Sequence, residues 1–217
     1  MTTIDSGRRA AARCVAAAGA VLMLCASSSF AQDRLPPIPA DRQTEAQKAA
    51  AVEFLAERKQ EVFGPFVPLS RSPRLMISAA KMGTHLRFGN SLPRDVSEFA
   101  ILLQARRWTQ QYEWYVHAGD ARKAGLSEAI IKAVADGRRP DGMSEGLEAV
   151  YDFSNELNDL RNVSDRAYAR MVAAYGEQGM MDLVGLNGFY TLISMALNVG
   201  RTPLPPGTAP ALAPFSK

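Results

Sequence analysis

Cysteine is nearly absent from this chain, and the absence excludes more than any motif does. The 217 residues hold two, Cys14 and Cys25, and both lie in a stretch that reads as a secretory signal. Arg8, Arg9 and Arg13 form a basic start, and Val15 to Cys25 is almost wholly apolar and uncharged. Ser29-Phe30-Ala31 then places small residues where a cut after Ala31 needs them. The apolar run is too short to span a bilayer. A mature chain beginning at Gln32 has no thiol and no disulfide, so cysteine redox chemistry is excluded for it. The expected location is periplasmic or secreted, by a Sec-type signal. Arg8-Arg9 leaves a twin-arginine route open, although Ala10-Ala11 fits it poorly, and the bulky Leu24 before Cys25 argues against lipidation.

An excess of one charge is also missing. The whole chain has 25 basic and 22 acidic residues, and removing 1–31 leaves 22 against 21. The basic character thus resides largely in the signal. Nucleic-acid recognition requires a concentrated basic face, so no nucleic-acid partner is expected. β-Branched runs and two-residue hairpin turns are lacking, which leaves no convincing strand. There is no Gly-rich phosphate loop, no G-x-S-x-G elbow and no H-E-x-x-H pair. With only two histidines, His85 and His117, and no cysteine, no metal site and no cofactor are expected.

What remains is helical. The stretch 32–40 (QDRLPPIPA) reads as a Pro-rich leader, 41–207 as a single all-α domain, and 208–217 as a tail. The expected mature length of 186 residues is enough for one domain with its own core. The patterning predicts helices over 41–61, 73–88, 93–108, 111–124, 128–136, 144–160, 164–175 and 180–199. Ser127, Ser144 and Ser164 are predicted caps, and Val52, Leu55 and Phe63 mark the apolar turns of the first helix. Met180 to Val199 carries one charge, Asp182, and a polar stripe of Asn187, Thr191, Ser194 and Asn198. It reads as a central core helix that could also serve an oligomer interface, with no membrane span in the mature chain.

The chemistry concentrates between Glu98 and Gly125. Glu113 and His117 are four apart and share a helix face, with Trp114, Ala118 and Ala121 on the same apolar stripe. A carboxylate beside an imidazole is suited to general acid–base work, although the spacing is equally that of an ordinary structural pair. Glu98 reaches them if its helix and the next pack as a hairpin. Arg106 and Arg107 offer bidentate anchors for an acidic substrate. Tyr112, Trp114, Tyr115 and Tyr190 could wall a pocket.

These residues also carry a resemblance. Glu98-Phe-Ala-Ile-Leu, Tyr112 to His117 (YEWYVH), Ala121 to Ser127, and the run from Gly188 to Asn198 with Arg201 to Pro205 behind it together resemble the carboxymuconolactone decarboxylase family, over roughly Leu69 to Pro206. The resemblance implies an all-helical alkylhydroperoxidase D-like fold assembled as homo-trimers or hexamers. One branch of that family uses a C-x-x-C pair, which here falls on Gln110 and Glu113, so thiol peroxidase activity is disfavoured. The resemblance therefore implies the cysteine-free branch: a cofactor-free, decarboxylase-like lyase acting on a small carboxylated or lactone substrate. His117, Glu113 and Glu98 would be catalytic, and Arg106, Arg107, Trp114, Tyr112 and Tyr190 would bind substrate. The alternative is a non-catalytic, oligomeric small-molecule-binding member. A closed pocket containing both Glu113 and His117 would favour the enzyme.

Overall fold

Helix boundaries follow from local capping chemistry. The computed structural model describes residues 33–214. The expected signal peptide and its cleavage point, Gln32 of the leader and the last three residues of the tail lie outside them. Within this range every regular element is a helix: α1 (Glu45–Arg58), α2 (Phe66–Leu69), α3 (Pro73–Phe88), α4 (Arg94–Arg107), α5 (Gln111–Lys123), α6 (Glu128–Ala135), α7 (Glu145–Leu160) and α8 (Asp165–Gly200), after a short 3-10 turn at Ala40–Arg42. No strand occurs among the described residues, as the missing hairpin signals predict.

Ser127, Ser144 and Ser164 each accept a backbone N–H three residues on, from Ile130, Leu147 and Ala167, satisfying a donor that the helix itself cannot. The first helix is shorter than the predicted 41–61. A capping box between Thr44 and Gln47 starts it, and Lys59 in the left-handed region stops it. The sequence pattern missed α2 because Gly64-Pro65 and Pro68 read as breakers. Pro68 sits in the first turn of α2, where no intrahelical donor is needed.

The expected face of the first helix turns out differently. On α1 the core is met by Ala50 and Phe54, whereas Val52 and Leu55 are 70% and 47% exposed. They line a surface groove with Pro37, Ile38, Val62 and Met76 instead. On α3, Met76, Ala79 and Leu86 are buried, but Leu75 and Met82 face outward.

The second half of α8 is the centre of the packing. Leu183, Leu186, Tyr190, Ile193 and Leu197 are buried, and the helix touches α2, α3, α4 and α7. It is long and apolar enough to cross a membrane by length and composition, with half of its most apolar window buried inside the fold. Its polar stripe faces inward at Asn187 and Ser194 and reaches the surface at Asn198. Gln104 of α4 donates to Asn187 (2.8 Å), which donates to Ser154 of α7 (3.1 Å). Thr191 donates to Gln104 and accepts from Trp108, while Asn198 accepts from Gln110 and donates to the Trp108 carbonyl. Buried polar groups need such partners, and the ladder fixes the register of α8 against α4.

The break expected over Gly176–Gly179 reduces to one residue. Gly176 has φ 69° and ψ 175°, a region almost closed to residues with a Cβ, and the helix resumes at once. Replacing Gly176 by Ala should therefore lower stability by about 1–3 kcal/mol, read as a lower urea midpoint with an unchanged slope. An unchanged midpoint would show that the chain can turn there without glycine.

Candidate active site

Two helices assemble a buried acid–base group. Glu98 stands on the second turn of α4. Glu113, His117 and Asp120 occupy one face of α5 at spacings of four and three. The two helices form an antiparallel hairpin closed at Trp108–Gln110, where Thr109 takes φ 46°, an uncommon conformation for a β-branched residue. Gln110 caps α5, its side-chain oxygen accepting from Tyr112 and Glu113 N–H while its amide donates to Asn198. The start of α5 is thereby tied to α8.

The hairpin brings the His117 Nδ1 within 2.7 Å of Glu98 Oε2, and the other ring nitrogen, Nε2, lies 3.5 Å from Glu113 Oε2. Glu98 is 0%, Glu113 3% and His117 2% exposed. With Glu98 accepting, Nδ1 carries the proton, so Glu98 is the residue that orients the ring. Glu113 is the looser neighbour, at a distance beyond a good hydrogen bond. Burial raises the Glu113 carboxyl above its ordinary range, and nearby Glu98 adds to this, while His117 and Arg87 oppose it.

Charge reaches the surface through arginines that the sequence did not single out. Arg94, one turn before Glu98, approaches Glu98 Oε1 at 2.6 Å, without hydrogen-bond alignment. Arg87 of α3 binds Asp120 at 3.0 Å. Burial pushes the Asp120 carboxyl up, but the hydrogen bond from Lys123 and the charge of Arg87 outweigh it and hold the group low.

Glu113 and His117 both line a small cavity of about 50 Å³, together with Arg58, Phe66, Arg87, Tyr112 and Tyr190. The volume holds a carboxylate-sized group or a few waters. Phe54, Phe63 and Phe66 form an aromatic cluster beside it, and the Arg58 guanidinium lies over the rings of Phe63 and Phe66 at 5.9 and 5.4 Å. Burial lowers the Arg58 pKa, and the charge of Arg87 lowers it further, so two cations face one small space. The Tyr190 ring packs edge-on to His117 with centroids 5.0 Å apart. Its hydroxyl is buried with no protein partner, as is the Nε of Arg87. Burial drives the Tyr190 pKa well above its ordinary value, which keeps the hydroxyl a neutral donor. Gly83 admits the ring of Phe189 at this wall, since a Cβ there would lie 2.7 Å from Phe189 Cζ.

The structure thus brings together Glu98, Glu113, His117, Tyr112 and Tyr190. Trp114 is buried in the core and does not line the cavity, and Tyr115 is half exposed. Arg106 and Arg107 line a different cavity. Eight residues of α-helix separate Glu98 from Arg106, about 12 Å along the axis, so the arginines sit at the opposite end of α4. No local signal marks Arg58 or Arg87, which are far away in sequence. Arg94 and Asp120 were legible as helical neighbours of Glu98 and His117.

Glu98, His117 and Asp120 also present ligand atoms within 4.8 Å of one another, a cluster that could hold a metal ion. Both carboxylates already face guanidinium groups, Arg94 and Arg87, and a dication would have to displace these cations.

Comparison with models of known protein families and with curated proteins finds no match for this chain.

The raised Glu113 pKa has a consequence for stability. A carboxyl that holds its proton more tightly when folded makes the native state bind more protons than the unfolded one, so stability falls as pH rises from the unfolded Glu range toward the folded value. Glu113→Gln removes this dependence. The variant should gain on wild type in urea unfolding between pH 4 and pH 8. A constant difference across that range would mean that Glu113 titrates normally.

Proposed function

We propose that this chain is a cofactor-free acid–base enzyme of the lyase type, decarboxylating a small carboxylated or lactone substrate, and a cysteine-free member of the carboxymuconolactone decarboxylase family that is exported and self-associates. The observation that carries the reading is the Glu98–His117–Glu113 group beside a small, cation-lined cavity with an unpartnered phenol. A non-catalytic binding protein needs the cations and the shape but not the relay.

Decarboxylation breaks a carbon–carbon bond, releases carbon dioxide, and leaves an electron pair that a neighbouring carbonyl takes up as an enolate. The enolate then needs one proton on carbon. Arg58 and Arg87 supply the charge that holds a carboxylate or enolate oxygen, and the Tyr190 hydroxyl supplies an unused hydrogen bond to it. Burial favours the protonated form of Glu113, which makes Glu113 the proton donor on the cavity wall. His117 returns a proton to Glu113, and Glu98 holds the ring through Nδ1. Glu98, rather than the helical neighbour Glu113, is thus the carboxylate that positions the imidazole. The resemblance at Glu98, at Tyr112 to His117 and at the closing helix supports the same chemistry, and the inward-facing second half of α8 agrees with an all-helical domain of that kind.

The test is carbon dioxide release by the purified protein on a panel of carboxylated lactones and β-keto acids. His117→Ala should lower the rate by about 10²–10⁴-fold, the range of a positioned acid–base group. Equal rates for variant and wild type would remove His117 from the mechanism and sink the proposal. Glu98→Gln keeps the shape of the side chain. This matters because removing one partner of a buried pair costs about 3–5 kcal/mol. It should lower kcat and shift the acidic limb of the pH–rate profile, with little change in thermal midpoint. An unshifted profile would leave Glu98 a structural residue only.

A further inference from the structure

The arginines at the far end of α4 belong to a cavity of their own. It measures about 450 Å³ and is lined by Leu103, Arg106, Arg107 and Trp108 of the α4 end, Arg138 after α6, and Tyr151 of α7, among others. It shares no lining residue with the relay cavity. Its size is that of a small organic ligand, roughly nine times the volume of the relay cavity.

Its composition is specific. Three guanidinium groups line it and no carboxylate does. Arg106 is 6% exposed and donates to Thr109 Oγ1 at 3.3 Å. Arg107 binds Asp159 and the Asn158 carbonyl, and Arg138 binds Asp136. These last two pairs are exposed on both sides, and such pairs are weak, so a ligand anion can recruit either guanidinium at little cost. Trp108 and Tyr151 supply flat walls, and Leu103 and Val134 supply apolar ones. Burial raises the Tyr151 pKa, which keeps its hydroxyl a neutral donor. Planar aromatic surface with a cationic rim selects a planar anion, stacked on the rings and held by guanidinium forks.

We propose that this cavity is a second ligand site, separate from the relay, for a planar aromatic carboxylate. It does not depend on the decarboxylase reading, since it invokes none of the relay residues. The group read from the sequence as a substrate anchor thus serves a different ligand.

Calorimetric titration of the full chain with 2-naphthoate tests the proposal. Saturable binding of one equivalent per chain is expected, at least tenfold weaker for the uncharged 2-naphthamide. The double variant Arg107→Gln/Arg138→Gln should weaken naphthoate binding by tenfold or more. Arg138 is largely solvent-facing and Arg107 partly so, and an unchanged thermal midpoint will show that the fold is intact. Trp108→Leu should weaken naphthoate and naphthamide alike, because it removes the stacking wall. Tyr190→Phe, in the relay cavity, should leave the affinity unchanged. No saturable binding would overturn the proposal, as would equal affinity for acid and amide. Loss of binding in Tyr190→Phe with retention in the double variant would place the naphthoate in the relay cavity and overturn it too.

Discussion

A fully buried carboxylate touching a buried imidazole is the constraint on which the rest of the molecule depends. Neither group belongs in a helical core by its own preference, because each costs several kcal/mol of desolvation when left unpaired. Their contact at 2.7 Å offsets this only if two helices hold it. The α4–α5 hairpin brings residues nineteen apart into register, and the Thr109 turn is the place where the chain bends sharply enough to do it. Arg94 then answers the remaining charge of Glu98 from the rim.

The polar ladder on α8 serves the same end. Gln104, Asn187, Ser154, Thr191, Gln110 and Asn198 satisfy one another across three helices. An apolar seam in their place would pack as well but would permit sliding. Hydrogen bonds at successive turns allow one register only, and that register sets Tyr190 edge-on to His117. The single-residue break at Gly176 lets the preceding segment of α8 run on without disturbing this half. Precision at the relay is therefore bought largely outside it.

Much of the fold was legible because its signals are local. The serine caps and the absence of hairpin turns depend on residues a few positions apart. The Glu113–His117 pair was legible for the same reason, and Glu98 became so once the hairpin was inferred. What escaped was non-local or contradicted a local rule. Arg58 and Arg87 reach the cavity from α1 and α3, forty and eleven residues before Glu98, the nearest relay residue in sequence. Val52 and Leu55 are apolar at helical spacing but face a groove. Pro68 looks like a breaker yet sits within the first turn of α2. Arg106 and Arg107 were near His117 in sequence but lie at the other end of a rigid rod.

That last displacement has a physical logic of its own. Cations at a helix C-terminus answer the carbonyl end of its dipole, which is reason enough for Arg106 and Arg107 to end α4. At the other end of the same helix the dipole is positive and a cation gains nothing from it; Arg94 stands there through its contact with Glu98, but the cations that line the Glu113–His117 cavity do not. They are supplied instead from α1 and the last turn of α3, where His85 and Arg87 stand at a C-terminus in turn. One electrostatic rule thus accounts for both groups: each cavity takes its arginines from helices that end beside it. The two cavities stay distinct because α4 is long enough to keep its own ends apart. A single site drawing on both groups would require the helix to be broken, and the unbroken run from Arg94 to Arg107 holds them separate.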